Sequence, residues 1–138
     1  MRRPRILFVC RNDAGASRMA AAFVERMAGE RYEPLSAGVE PAAHPRAEAV
    51  AVMAEDGIVI ADTPGTALTP KLAASSVRVV GLGCDVEEVC GPLDAPVEQW
   101  GIPDPGGMPM PELRVVRDTI RRLVERLVAR MDTEAAVR

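Results

Sequence analysis

The chain has 138 residues, 48% hydrophobic and 27% charged, with a net charge of −3: the size of one domain with a real core and the balance of a globular protein, not a disordered or fibrous one. No basic run stands apart from compensating acids, which argues against a nucleic-acid partner, and no stretch approaches the roughly 18 apolar residues of a membrane span. The start "MRRPRILFVC" has too short an apolar part for a secretory signal, and three cysteines are an odd count for a disulfide framework, so a cytoplasmic protein is expected.

The run "RILFV" at 5–9 ends at Cys10, as a buried parallel strand would. A Gly/Ser/Ala-rich turn follows, with Ser17 at the expected N-cap of a helix carrying Met19, Phe23, Val24 and Met27 at helical spacing, and Gly29 as its stop. "RYEPLSAG" (31–38) predicts a second strand, which Pro34 assigns to a sheet edge, and a helix follows over about 45–56, ended by Gly57. A helical turn is expected near 69–75, a strong strand at 77–83 and a short one at 96–100. From Pro111 to Met131 apolar residues recur every three or four positions, predicting a long helix with a frayed tail at 132–138. Strands alternating with helices imply a parallel α/β sheet whose ligand site lies beyond the strand C-termini, where Cys10 and Cys84 both fall.

A turn from a strand into a helix N-terminus offers unpaired N–H groups to a tetrahedral oxyanion, and its field favours the nucleophilic thiolate. Cys10 is therefore a candidate nucleophile, with a buried cysteine closing a strand as the alternative. In "GCDVEEVCG" the segment between Cys84 and Cys90 reads as helical. Six helical residues rise about 9 Å and a disulfide needs Cα atoms within about 7 Å, so this pair bridges only if the segment unwinds. A zinc site made with His44 lacks knuckle spacing, and no metal is expected. Asp104, between prolines in "WGIPDPGG", is either a general acid held over the site or an ordinary Asp-Pro turn.

The loop at Cys10, "SAG" at 36–38, "VVGLGC" ending at Cys84, then Cys90 and "QWGIPDPGG" in that order resemble the arsenate reductases of arsenic resistance. More closely, they resemble the thioredoxin-coupled branch built on the low-molecular-weight protein tyrosine phosphatase fold. The resemblance implies a three-layer α/β fold, a four-stranded parallel sheet flanked by helices, as a single domain over 1–131. It also implies a reaction: Cys10 attacks arsenate with Asp104 as general acid, Cys84 then attacks Cys10, and Cys90 takes over to leave Cys84–Cys90. No cofactor is tightly bound; thioredoxin is the expected external thiol reductant, and the chain is expected to act as a monomer.

The oxyanion is expected against Arg11, Asn12, Asp13, Ala14, Gly15, Ala16 and Ser17. Two departures stand out. Ala16 occupies the place of the family's loop arginine, and Asp13 that of a bracing asparagine, where a carboxylate would repel the anion. Arg11, or failing it Arg18, is expected to supply part of the missing charge. Two alternatives follow: a phosphatase using only Cys10 and Asp104, although "DPGG" lacks that branch's tyrosines, and a catalytically impaired oxyanion-binding or redox-sensing protein.

Overall fold

The computed structural model describes residues 2–137. Four strands, β1 (Arg5–Cys10), β2 (Glu33–Gly38), β3 (Arg78–Leu82) and β4 (Val97–Trp100), form one parallel sheet in the order β2-β1-β3-β4. The helices are α1 (Ala16–Ala28), α2 (Ala47–Ala54), α3 (Pro70–Ala74), α4 (Val86–Cys90) and α5 (Met110–Ala136).

Alternation along β1 builds the layers. Ile6, Phe8 and Cys10 face a core filled by Met19, Phe23, Val52, Ile120 and Leu127 from α1, α2 and α5. Leu7 and Val9 face the other way, against Ala73 of α3 and Val86 of α4, with Cys84 and Cys90 packed beside them. The sheet thus separates the two kinds of cysteine: Cys10 belongs to the large core and the other two to the small one. β2 lies at the sheet edge, where Pro34 leaves no central ladder bond unmade.

Two elements differ from the sequence reading. α5 does not end at Met131; it continues through Ala136, with Asp132 accepting bonds from Arg31 and Tyr32 that tie this end to the body. Arg138 lies outside the described residues. Ser17 is not an N-cap: Gly15 occupies that position and Ser17 lies inside α1, fully buried. A hydroxyl with better partners in the interior is not needed at the helix end. The far end of α2 is clamped to α5, where Arg114 and Arg117 both grip Glu55 and hold its carboxyl well below the usual range, at about 2. α2 is thereby fixed with its N-terminus toward the Cys10 loop. Among the described residues, no helix is long and apolar enough to cross a membrane.

Candidate active site

Between the end of β1 and the start of α1, the loop hands every carbonyl from Cys10 to Ala14 to an outside donor. Val39, Glu40 and Ala42 donate backbone N–H groups to Cys10, Arg11 and Asn12 at 3.4, 2.7 and 2.9 Å, and Arg46 N–H reaches the Ala14 oxygen at 2.8 Å. The Asp13 oxygen accepts from Arg18 Nε at 2.6 Å. In a trans peptide the next N–H points opposite to the carbonyl, so these bonds turn the amides of Arg11 to Gly15 to the inner side of the loop. None of those amides has an acceptor among the described residues. With the positive end of α1 behind them they form a ready oxyanion cradle.

Cys10, 8% exposed, lies 2.9 Å through Sγ from the Ser17 hydroxyl. Ser17 in turn donates to Asp13 Oδ1 at 2.8 Å, and Asp13 Oδ2 accepts from Thr66 N–H at 2.9 Å. A serine has one hydroxyl hydrogen; while Asp13 holds it, Ser17 accepts from the Cys10 thiol and has nothing to give a thiolate. Asp13 has φ 49°, the left-handed region that Asp and Asn tolerate best. Its carboxylate, 2% exposed, faces the brace behind the loop rather than the anion.

A cavity of about 120 Å³ opens over Cys10. Of the residues expected at the anion, Arg11, Asn12, Ala14, Gly15 and Ala16 line it, whereas Asp13 and Ser17 lie behind it. Asp104, Pro103 and Pro105 form the facing wall. Asp104 is pinned through Oδ1 by the Gly106 N–H at 2.9 Å, and its Oδ2 stands 3.4 Å from Arg46 Nη2.

Arg18 and Arg11, the cations expected to replace the loop arginine, are otherwise engaged. Arg18 is spread over Asp13, Thr63 and Ala61 as a structural brace. The Arg11 guanidinium pairs with Glu40 at 2.8 Å, where both side chains are exposed.

Cys84 follows β3 after Gly83, and its thiol donates to the Val9 carbonyl at 3.3 Å, one residue short of Cys10. Burial, then the neighbouring Cys10 and Asp85, pushes this thiol up to about 11. Cys90 is the last residue of α4, and burial raises its thiol too. All three cysteines are free. α4 is a single turn capped by Asp85, which accepts from the N–H groups of Glu87 and Glu88, and Gly83 and Gly91 flank the segment at φ 77° and 73°. His44 stands apart from the cysteines, paired with Asp62 on the surface.

Residues 5–137 match the family model of the low molecular weight phosphotyrosine protein phosphatases. The chain belongs to this family. Among its relatives, the arsenate reductase 2 of Staphylococcus epidermidis is 31% identical over 128 residues, 91% of this chain and 96% of that protein. In the same phosphatase family fold, the thioredoxin-dependent arsenate reductase of Corynebacterium glutamicum superposes with a TM-score of 0.81 at 25% identity, covering 96% of this chain and 63% of that one. An arginine phosphatase of Geobacillus stearothermophilus gives 0.74 at 27% identity, covering 95% and 94%.

The site residue that sequence reasoning missed in this family member is Arg46. A signal existed: an arginine at a helix N-cap opposes the macrodipole, so Arg46 ahead of α2 needs another reason to be there.

Proposed function

We propose that the protein reduces arsenate to arsenite by a three-thiol relay. The Cys10 thiolate attacks arsenic in the cradle, and Asp104, on the facing wall, gives a proton to the departing oxygen, which leaves as water. The Cys84 thiolate then attacks Cys10 Sγ. The sulfur–arsenic bond breaks with its electron pair going to arsenic, so arsenite departs and the two thiols are oxidised to Cys10–Cys84. Cys90 attacks Cys84 Sγ, releasing Cys10 as thiolate and leaving Cys84–Cys90 for an external dithiol, thioredoxin being the candidate, to reduce. Three free thiols of this kind suit the reducing cytoplasm.

The observation that carries this reading is Cys84. Its thiol rests on the Val9 carbonyl beside the nucleophile, next to a loop and an acid that would suffice for phosphatase chemistry without it. The phosphatase reading keeps one support, since Cys10 and Asp104 share a cavity independently of the other cysteines.

Incubating the reduced protein with arsenate and mapping the cysteines by mass spectrometry separates the two. Loss of two hydrogens at Cys84–Cys90, abolished in Cys10→Ser, is the expected result. An unchanged mass under saturating arsenate sinks the reductase, and hydrolysis of an aryl phosphate without cysteine oxidation puts the phosphatase in its place.

A further inference from the structure

The geometry points to Arg46 as the guanidinium of the anion site, in place of the one missing at Ala16. The inference rests on the reading that the Cys10 loop takes a tetrahedral oxyanion, and it adds a residue from outside that loop.

Charge balance at the site motivates it. A cradle of neutral amides holds a dianion poorly without a cation, and of the nearby arginines only Arg46 has its guanidinium at the cavity without a strong partner. Arg18 is consumed by the carbonyl oxygens and hydroxyl it braces, and Arg11 by Glu40. Arg46 makes one long contact, 3.4 Å to Asp104 Oδ2, and its side chain is one-third exposed.

Its backbone is fixed independently of its head: the N–H holds the Ala14 carbonyl of the loop itself, so the side chain starts from the rim of the cradle. The head lies flat over Gly106, where an added Cβ would come within 2.7 Å of Cζ and 2.8 Å of Nη1. Gly106 in "DPGG" is therefore the space that admits the guanidinium.

Arg46 shares a wall with Asp104, so it would meet the anion on the side of the departing oxygen. Moving from Asp104 to the anion, it would bind substrate and release the acid in one displacement. A compact inorganic oxyanion, phosphate or arsenate, suits the small cavity under this head.

The test is calorimetric titration of inorganic phosphate into the full-length reduced protein. Arg46→Ala is expected to weaken binding by about 10- to 100-fold, the value of a charge-assisted hydrogen bond or two. Arg46→Lys should recover only part, having charge without the fork, and Ala16→Arg added to Arg46→Ala should restore affinity, since Ala16 lines the same cavity. Arg46→Gln, which keeps a polar side chain without its charge, should weaken phosphate as well, and serves if Arg46→Ala does not fold.

Wild-type affinity in Arg46→Ala, or in Arg46→Gln where Arg46→Ala does not fold, overturns the proposal, as does a wild-type protein that takes up no phosphate. If the wild type binds phosphate yet arsenate never yields Cys84–Cys90, the reductase reading falls and the same titration still decides Arg46.

Discussion

The loop around Cys10 and the segment from Gly83 to Gly91 are both short turns leaving the C-terminal edge of the sheet, yet they are held in opposite ways. Every carbonyl of the first is bonded to a donor outside it, and its start and end are fixed by β1 and by the 13-residue α1. The second is one helical turn with two cap bonds, a single fully buried side chain in Val86, and a positive-φ glycine on either side. Oxyanion capture requires donors that do not reorganise. Passing a disulfide from Cys10 to Cys90 requires the reverse, sulfur atoms that travel. Under the proposed relay, the difference in bonding density would divide the labour: a rigid cradle beside a pliable carrier.

The largest test of the rigid half is Arg18→Ala, which strips the donor from the Asp13 carbonyl and from Thr63. Loss of a charged donor to the buried Asp13 carbonyl and to the part-buried Thr63 carbonyl is expected to cost about 3 kcal/mol, read as a lower urea midpoint at unchanged m-value, together with failure to capture phosphate. Cys90→Ala in the pliable half should change stability by no more than about 0.5 kcal/mol. Equal losses in the two variants would erase the contrast.

The pliable half has a pH signature instead. With the Cys84 thiol pushed up to about 11, its thiolate is scarce at neutrality and grows as pH rises toward that value. The Cys10–Cys84 step should therefore accelerate about tenfold per pH unit, roughly 100-fold from pH 7 to 9, in quenched single-turnover mass spectrometry. A flat profile over that range would mean that the thiol is deprotonated by a group not identified at the site.

The same contrast explains what was legible in the sequence. Short apolar runs predict the strands, which the helices cover on both faces, and a 3.6-residue period predicts the long helices, each of which buries one face, while the Cys10 loop and Asp104 stand out through local chemistry that their neighbours enforce. Ser17 misleads because a serine near a helix start is intrinsically a cap, and only the tertiary brace with Asp13 draws it inside. Arg46 is marked only as a cation out of place at a helix N-cap, and its role is not legible for a different reason: it reaches the cavity from 30 residues beyond Ala16, and that proximity exists only once α2 is clamped against α5. Asp13 is legible as a residue but not as an orientation, since the repulsion expected from it presumes a carboxylate facing the anion.

Asp13→Asn tests that orientation and should have a moderate effect. Asn keeps the left-handed backbone and accepts from Thr66 through its oxygen, while its amide donates to Ser17 Oγ. The Ser17 hydrogen is then free for the Cys10 thiolate, and alkylation of Cys10 by iodoacetamide at pH 7 should quicken by about tenfold, the worth of one hydrogen bond to a charged group. A slower reaction would show that Asp13 activates Cys10 instead of competing with it for the serine proton.

The smallest expected effect belongs to Asp85, and it separates two causes. Asp85 caps α4 and is also one of the negative neighbours that raise the Cys84 thiol, after burial and Cys10. Asp85→Ala removes a cap worth about 1 kcal/mol, so α4 opens more readily and the exchange from Cys10–Cys84 to Cys84–Cys90 should speed up about fivefold. If the cap is what matters, that exchange accelerates equally at every pH, because unwinding carries no proton. If the charge dominates, the gain appears in the earlier attack of Cys84 on Cys10, whose pH profile moves to lower pH while the exchange keeps its rate. A carrier segment that is pliable by construction predicts the first pattern, and a slower exchange in Asp85→Ala would mean that Cys90 needs the intact helical turn to reach Cys84.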